Sequence, residues 1–484
     1  MRFCRRRLGW RLISTMTQKP TRFLTQPASR IHEELNRGTD VWTFFNQGVF
    51  PTAVNLGQGF MNWKPPAFLL DRLLEEARDR VDLHHYSPAR GRPRLLKAIS
   101  ETYSASFHKP TANNTDMFEG KVDLDATGLP AQRPQSGEKL DPMSEIVVTP
   151  GANEAMYSAA TAFLEEGDEV VLLEPFFDQY VCEAMYNGGV PVYVPMLPPS
   201  SEKHAVSANE WQFDWDLLEE KLASPRAKLL FLNTPHNPIG KVLSLQELQR
   251  LAALCIKYDI LVISDEVYDC LTYDQQEHIR LASISGMWER TITIGSAGKT
   301  FACTGWRVGW AIGPKHLITP TMTAHLRITF TTNSIASEGA ALGLELAEQE
   351  HFFEKQREEY AARRQELMTA LDHLGLPYTV PHGSYFVLVD ARSIRIPDDF
   401  ELPNEVRKKA RDYHICWFIG HVCDVIVLPA TAFYADNHAK HGERFIRFAF
   451  CKDNQLGEAA RRLEKVRARL SYQLRPYLAQ SHQK

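Results

Sequence analysis

The sequence lacks several features that would place it in a class of proteins at once. No stretch of 18 apolar residues occurs, and a transmembrane helix needs a stretch of about that length. After the first thirty residues there is no long basic run either, and the formal net charge is −4. Because nucleic-acid binding usually requires a basic surface, we expect neither a nucleic acid nor a membrane as a partner.

Cysteine is also scarce. The eight cysteines are scattered along 484 residues, and no two of them form a C-x-x-C pair. This pattern favours buried thiols in a reducing compartment over a disulfide framework or a zinc site. We therefore expect no metal in this protein.

Acidic residues are absent from the N-terminus, where the first one is Glu33. The stretch "RRRLGWRLISTM" instead mixes arginine with leucine, tryptophan and isoleucine, as mitochondrial transit peptides do. We interpret residues 1–24 as such a segment, and a disordered basic tail is the alternative. Met16 offers a second start site, so the expected localisation is mitochondrial, cytoplasmic or both.

From about residue 144 the sequence alternates strand-like and helix-like segments. The strand-like segments are short apolar runs closed by polar residues: "EIVVTP", "EVVLLEP", "KLLFLNTP", "ILVISDE" and "TITIGS". Continuous apolar runs are typical of parallel strands that helices cover on both faces. The predicted fold class is therefore α/β, with a site where polar residues gather at the carboxyl ends of the strands.

The later segments predict a second, smaller unit of the α+β type. A long helical pattern at 351–375 precedes the strand-like runs "SYFVLVD", "VIVLPA" and "RFIRFAF". We expect a large domain over 66–345 and a small one over 346–484, completed by an N-terminal arm at 25–65. Residues 108–142 are polar, rich in proline and glycine, and without periodicity, so we interpret them as a surface insertion.

Lys299 stands in "IGSAGKTFACTGWRVGW" (294–310), directly after an apolar run. The letters "GKT" end a phosphate-binding P-loop only if a glycine stands five residues before Gly298, and Thr293 occupies that position. A lysine held among small residues after a buried strand loses hydration, which lowers its pKa and frees a neutral nucleophile. This spacing leaves two interpretations open, a Schiff-base lysine and a solvated surface lysine.

Three further polar side chains follow strand-like runs. Asn237, in "NTPHNPIGK", can donate a hydrogen bond to a ring hydroxyl from a loop that contains two prolines. Asp265, in "ISDEVY", can keep a pyridine nitrogen protonated, and the phenol of Tyr268 can contact a ring oxygen. Each residue alone is compatible with a strand-end cap, but their order and spacing together favour a functional site.

With Lys299, these residues resemble the fold-type I, pyridoxal-phosphate-dependent aminotransferases of class I. Within that group the chain is similar to kynurenine aminotransferases, also called glutamine transaminase K or cysteine-S-conjugate β-lyase. The stretches that carry the resemblance are "VNLGQGF", "EGDEVVLLEPFFDQY", "LNTPHNPIGKV", "ISDEVYDCLTYD", "GMWERTITIGSAGKTFACTGWRVGW" and "RFIRFAFCKD". The resemblance implies a large domain with a mostly parallel seven-stranded sheet covered by helices, a smaller α+β domain, and a homodimer.

The resemblance also implies which residues hold the phosphate of pyridoxal 5'-phosphate. The phosphate is expected at the backbone of Ala152 and Asn153, at the start of a helix, because helix N-termini bind anions. Ser296 and Arg307 are expected to contact the same phosphate. Tyr86, in "HHYSPARG", is expected to reach it from the neighbouring subunit.

By the same resemblance, five residues are expected around the pyridine ring. Phe177 matches the residue that stacks on the ring, while Asp265, Asn237 and Tyr268 match those that contact its polar atoms. Lys299 matches the catalytic residue, which forms the Schiff base and moves the proton at the α-carbon of the substrate.

The amino-acid substrate has its own expected contacts. Arg447, in "RFIRFAF", matches the arginine that pairs with the α-carboxylate, and Asn237 is expected to contact the substrate as well. The backbone of Gly59 is expected to approach the same carboxylate, and Trp42 to line the side-chain pocket.

We therefore expect transfer of the amino group of an aromatic or sulfur L-amino acid to a 2-oxo acid, with kynurenine as donor giving kynurenic acid. Elimination from cysteine S-conjugates at the same site is an alternative, and a non-catalytic cofactor-binding homologue is another. Met61, His236 and the pair Ala152 and Asn153 depart from the pattern common in the family. We expect these departures to border the entrance and to affect substrate choice.

Overall fold

The computed structural model describes residues 28, 30–31, 40–46, 48–108, 139–200 and 203–467. The predicted transit segment with Met16, and most of the predicted insertion, lie outside the described residues. The chain divides into two compact units, Met1–Asp40 and Val41–Lys484. All elements given below belong to the second unit.

The largest sheet has eight strands. Their spatial order is Ile146–Thr149, Gly309–Ile312, Thr291–Ser296, Leu261–Asp265, Ala227–Asn233, Glu169–Glu174, Val190–Leu197 and Gln212–Phe213. Neighbouring strands are parallel except on both sides of Gly309–Ile312 and at the Gln212–Phe213 edge. The seven longer strands confirm the predicted sheet, and the two-residue edge strand is an addition to it.

Both faces of this sheet are covered, as continuous apolar strands require. All residues of Glu169–Glu174 are buried, and successive side chains point to opposite faces. Val170 packs in the cluster that includes helix Ala152–Phe163, and Val171 in the cluster that includes helix Leu245–Lys257. The sheet therefore forms the middle layer of an α/β arrangement.

The helices of the described chain range from single turns to a helix of 23 residues. They are Val41–Phe44, Ala67–Asp79, Pro93–His108, Ala152–Phe163, Gln179–Tyr186, Trp215–Leu222, Leu245–Lys257, Ala297–Thr300, Lys315–Ile328, Ser334–Ala347, Phe352–Leu374, Asn404–Arg407, Arg411–Cys423 and Leu456–Arg467. Among these described helices, none combines the length and the apolar character needed to cross a bilayer.

A second sheet has five strands, in the order Leu428–Pro429, Phe445–Ala449, Phe386–Asp390, Tyr378–Val380 and Ala205–Ser207. The last strand comes from the middle of the chain and pairs in parallel with Tyr378–Val380. Ala205–Ser207 thus lies within the predicted large domain but belongs to the second sheet. The predicted domain boundaries stay a prediction.

The run "VIVLPA", predicted as one strand, is two separate pieces. Val425–Ile426 pairs in parallel with Val54–Asn55 in a two-stranded sheet. Leu428–Pro429 pairs instead with Phe445–Ala449 in the five-stranded sheet. The prediction of a single strand was wrong because the run changes partner at Val427.

Candidate active site

A cavity of about 510 Å³ opens at the carboxyl ends of the strands of the largest sheet. Asn233, Asp265 and Ser296 end neighbouring strands and line it. Every predicted site residue except Tyr86 lines this cavity. These residues are Trp42, Gly59, Ala152, Asn153, Phe177, Asn237, Asp265, Tyr268, Ser296, Lys299, Arg307 and Arg447.

Lys299 lies in the one-turn helix Ala297–Thr300. Its Nζ donates to the carbonyl oxygen of Gly59 at 3.4 Å. Burial lowers the pKa of Lys299 to about 8, and the positive charges of Arg307 and Arg447 act in the same direction. The amine is therefore neutral at a much lower pH than a solvated lysine, which makes it a candidate nucleophile and base.

Asp265 presents a buried carboxyl group to the cavity. The hydroxyl of Tyr180 donates to its Oδ2 at 2.5 Å, and the backbone N–H of Val267 donates to its Oδ1 at 3.3 Å. Burial raises the pKa of Asp265 to about 6, although both hydrogen bonds act to lower it. At neutral pH the group is mostly a carboxylate, and a protonated ring nitrogen would be a suitable partner for it.

Asn237 has a fixed orientation because of its contact with Arg447. Nη1 of Arg447 donates to Oδ1 of Asn237 at 2.9 Å, and its Nη2 donates to the carbonyl oxygen of Gly57 at 2.7 Å. A guanidinium can only donate, so the atom of Asn237 that faces it must be the oxygen. The NH₂ group of Asn237 is thus the part left to donate to a ligand in the cavity.

Arg447 is almost completely buried, with 1% of its surface exposed. Its guanidinium lies 4.2 Å from the ring centroid of Phe386 and 4.7 Å from that of Phe433. Burial lowers its pKa to about 10, so it still carries its charge at neutral pH. Its Nε has no hydrogen-bond partner among the described residues. This cation is suited to binding a carboxylate.

A third part of the cavity is suited to an anion. Helix Ala152–Phe163 begins there, so its first backbone N–H groups point toward the cavity. Gly151, at φ +89°, precedes the helix, and a Cβ at this position would lie 2.5 Å from Nη2 of Arg307. The glycine therefore leaves room for the guanidinium beside the helix terminus. Ser296, which carries a hydroxyl group, also lines the cavity.

Aromatic residues form the remaining walls. Phe177 packs edge-on against Tyr180, with ring centroids 5.7 Å apart. Tyr268 is buried edge-on against Tyr385 at 5.0 Å, and burial raises its pKa. Phe176, in contrast, packs in the core and does not line the cavity.

Tyr86 lies outside the cavity. Its side chain is 83% exposed and packs edge-on against Phe330, with ring centroids 5.4 Å apart. Phe330 is itself 54% exposed. The expected contact of Tyr86 with a phosphate in the neighbouring subunit stays a prediction.

The expectation about the departures from the family pattern was partly wrong. Met61 and His236 are buried and do not line the cavity. Burial lowers the pKa of His236 to about 3, so its ring is neutral. Of the departing residues, only Ala152 and Asn153 line the cavity.

Several residues that line the cavity were not predicted. They are Gln58, Phe60, Met156, Gln179, Asn233, Val267, Thr304 and Phe386. Most of them stand within or beside the motifs quoted above. The motifs therefore indicate the segments that form the cavity, but not the direction of each side chain. Within the described part of the chain, no group of three His, Cys, Asp or Glu residues could hold a metal ion.

Comparison with known proteins agrees with this geometry. Residues 51–463 match the family described as aminotransferase class I and II. The kynurenine–oxoglutarate transaminase of Dictyostelium discoideum is 36% identical over 427 residues, which are 86% of this chain and 91% of the relative. Kynurenine–oxoglutarate transaminase 1 of Mus musculus is 36% identical over 409 residues, which are 83% and 88% of the two chains. The crystal structure of Saccharomyces cerevisiae Bna3p matches with a TM-score of 0.80 at 35% identity, covering 92% of this chain and 100% of that one.

Proposed function

The chain belongs to the family of class I and II aminotransferases, and we propose that it transfers the amino group of L-kynurenine to 2-oxoglutarate with pyridoxal 5'-phosphate as cofactor. Two relatives that are 36% identical over most of the chain are named for this activity. The observation that carries the proposal is a single cavity that holds Lys299 with its lowered pKa, the buried carboxyl group of Asp265 and the buried guanidinium of Arg447.

The residues present fit this cofactor. The helix terminus at Ala152, with Ser296 and Arg307, offers donors and a positive charge for its phosphate. Asp265 offers a carboxylate for the ring nitrogen, and Asn237 offers its NH₂ group for the ring oxygen. When bound, pyridoxal phosphate supplies a ring that stabilises negative charge at the α-carbon of the amino acid.

The chain itself binds, orients and moves a proton. Arg447 pairs with the α-carboxylate and so fixes the direction of the Cα–H bond. The amine of Lys299 takes the proton from the α-carbon, because its lowered pKa makes the neutral form accessible. Asp265 keeps the ring nitrogen protonated, and the surrounding aromatic side chains exclude water from these charges.

The walls of the cavity support an aromatic amino donor. Trp42, Phe60, Phe177 and Phe386 contribute aromatic rings to its lining. Among the described lining residues, the three cationic side chains are assigned to the phosphate, the proton transfer and the α-carboxylate. The space left for the donor side chain is therefore mostly neutral and aromatic, which suits the aminophenyl ring of kynurenine.

Elimination from cysteine S-conjugates begins with the same loss of the α-proton, but no contact in the described residues favours it. A non-catalytic binding role is not favoured either, since Lys299, Asp265 and Arg447 share one cavity.

We also propose a homodimer in which Tyr86 enters the cavity of the partner subunit. The mutual packing of two exposed aromatic side chains, Tyr86 and Phe330, supports an interface there. Mixed dimers test this proposal. A dimer of one Lys299→Ala chain and one Tyr86→Ala chain should contain one complete site, because the intact Tyr86 of the first chain reaches the intact Lys299 of the second. If Tyr86 acted within its own chain, mixing would restore nothing.

Mitochondrial import is likewise a proposal, based on the basic, acid-free N-terminus. Isolated mitochondria should import and cleave the full chain, and a chain that starts at Met16 should remain outside.

The enzymatic proposal is tested by turnover of L-kynurenine with 2-oxoglutarate, followed as formation of kynurenic acid and glutamate. Lys299→Ala should abolish turnover, whereas the exposed Lys97→Ala should retain it. Product formation by Lys299→Ala at the rate of the unsubstituted protein would refute the proposed mechanism. If the unsubstituted protein does not turn over kynurenine, the proposed substrate is wrong.

A further inference from the structure

Gln58 lies between the two functional ends of the cavity. The carbonyl oxygen of Gly57 accepts from Nη2 of Arg447 at 2.7 Å, and that of Gly59 accepts from Nζ of Lys299 at 3.4 Å. The side chain of Gln58 is half-buried and lines the cavity. Its backbone is thus fixed on both sides by the residues assigned to the substrate carboxylate and to proton transfer.

The neighbouring Asn55 has only one possible orientation. Its Oδ1 accepts from the backbone N–H of Gly57 at 3.1 Å and from that of Gln58 at 3.0 Å. Both of these groups can only donate, so the atom that faces them must be the oxygen. The NH₂ group of Asn55 therefore points the other way, where it meets the side chain of Gln58.

This orientation of Asn55 determines which end of the Gln58 amide it binds. Nδ2 of Asn55 can only donate, and it donates to Oε1 of Gln58 at 3.1 Å. The oxygen of Gln58 is therefore engaged. Its NH₂ group has no hydrogen-bond partner among the described residues and is the group that Gln58 offers to the cavity.

We propose that Gln58 is a specificity-determining residue that donates a hydrogen bond to a carbonyl oxygen in the side chain of the amino donor. The ketone of kynurenine and the amide of glutamine carry such an oxygen, whereas phenylalanine and methionine do not. This inference rests on the proposed aminotransferase function and adds to it a preference within the neutral amino acids. Asn55 acts as a positioning residue, because it selects the donor end of Gln58.

A contact of Gln58 with the α-carboxylate is the competing assignment. The carboxylate already has the buried guanidinium of Arg447 as its partner, and a neutral amide adds little beside that charge. The two assignments differ in a measurable way. A carboxylate contact would affect every amino acid alike, whereas a side-chain contact affects only donors with a carbonyl group.

The test compares donors in matched pairs. L-Glutamine is paired with L-norleucine, and L-kynurenine with 2-amino-L-homophenylalanine, which has a methylene group in place of the ketone and keeps the amino group on the ring. Single-turnover kcat/KM is measured for each donor with the holoenzyme, so that the oxo acid plays no part. In Gln58→Met, both ratios of carbonyl to non-carbonyl donor should fall about three- to ten-fold, which corresponds to one neutral hydrogen bond.

Asn55→Asp tests the orientation without changing the volume of the side chain. A carboxylate at this position still accepts from the backbone of Gly57 and Gln58, but it cannot donate to Gln58. The amide of Gln58 should then turn and offer its oxygen to the cavity, so both ratios should fall at least as far as in Gln58→Met. Gln212→Met, at an exposed position of an edge strand, is the control in which both ratios stay as in the unsubstituted protein.

Equal losses for all four donors in Gln58→Met would assign Gln58 to the carboxylate and overturn the proposal. Unchanged ratios in Gln58→Met would overturn it as well. Failure of the proposed function would look different, because the unsubstituted enzyme would then turn over none of the four donors.

Discussion

Arg447 and Asn237 are joined by a buried hydrogen bond of 2.9 Å, although 210 residues separate them in the chain. The guanidinium that suits a substrate carboxylate therefore also decides which end of the Asn237 amide faces the cavity. The proposed substrate site and the proposed cofactor site share this one contact. A change in either residue should affect both functions.

Asn237→Asp is expected to disable the site while keeping the size of the side chain. The new carboxylate would pair with Arg447, occupy the charge that the substrate needs, and remove the NH₂ donor. We expect kcat/KM to fall at least about 100-fold for every amino acid, since a charge-assisted pair is lost. Pyridoxal phosphate should also bind more weakly.

Steady-state kinetics with several donors and a cofactor titration measure both effects. The exposed Asn454→Asp is the matched control and should leave both unchanged. A loss confined to one donor would show that the Arg447 pairing does not depend on Asn237.

Much of the fold could be predicted, because its signal is local. The strands of the largest sheet are continuous apolar runs, and burial on both faces produces that pattern without reference to distant residues. The helical spacing of "NEAMYSAATAFLEEG" (153–167) predicts a helix as far as Gly167, but the helix ends at Phe163. Leu164 already adopts an extended conformation, and Gly167 lies in the following turn. Ala205–Ser207 was not predicted, since its pairing depends on Tyr378–Val380, far along the chain.

In the candidate site, too, local features could be predicted and contacts between distant residues could not. Polar residues at strand ends, such as Asp265, could be placed from the sequence because parallel strands end at one edge of a sheet. The hydroxyl of Tyr180 on Asp265 could not, since 85 residues separate the two. The orientation of side-chain amides could not be predicted from the sequence either. The direction of the Gln58 amide depends on Asn55, and the direction of the Asn55 amide depends on two backbone N–H groups.

Lys299 should destabilise the protein when the cofactor is removed. Its pKa is about 8 in the folded chain and 10.5 as a solvated group, because burial disfavours the charged form. Below pH 8 both states bind the proton and the full cost of burying the charge is present. Between pH 8 and 10.5 only the unfolded state keeps the proton, so the cost shrinks, and above 10.5 it vanishes.

Lys299→Met should therefore stabilise the cofactor-free protein at pH 7 by on the order of 2 kcal/mol. Urea unfolding at pH 7 and at pH 10 should show this gain shrinking at the higher pH. Lys97→Met, at an exposed position, should show no such dependence on pH. A gain that grew with pH would contradict the assigned direction of the pKa shift.

The hydroxyl of Tyr180 should set the pH at which the cofactor dissociates. Its hydrogen bond lowers the pKa of Asp265, against the larger effect of burial, which raises it to about 6. Once Asp265 is protonated it cannot pair with a protonated ring nitrogen, so cofactor binding should weaken as the pH falls through that pKa. In Tyr180→Phe the weakening should begin at a higher pH.

Dissociation constants for pyridoxal phosphate between pH 5 and 8 measure this shift. Tyr103→Phe changes a buried tyrosine in a different cluster and should keep the midpoint of the unsubstituted protein. Identical midpoints for Tyr180→Phe and the unsubstituted protein would show that the hydrogen bond does not control Asp265.

Gly151 should be required for cofactor binding because a side chain at this position would displace Arg307. Gly167 serves as the control for backbone strain. Gly151 and Gly167 have nearly the same φ, +89° and +90°, so alanine at either position strains the backbone by about 1 kcal/mol. A Cβ at Gly151 would meet Arg307 at 2.5 Å, whereas a Cβ at Gly167 would meet nothing within 4 Å. Both variants should lose a similar free energy of unfolding in urea. Only Gly151→Ala should bind pyridoxal phosphate more weakly, with an affinity at least about ten-fold lower, because the charge beside the helix terminus is displaced. Equal cofactor affinity in the two variants would mean that Arg307 does not hold the phosphate from that position.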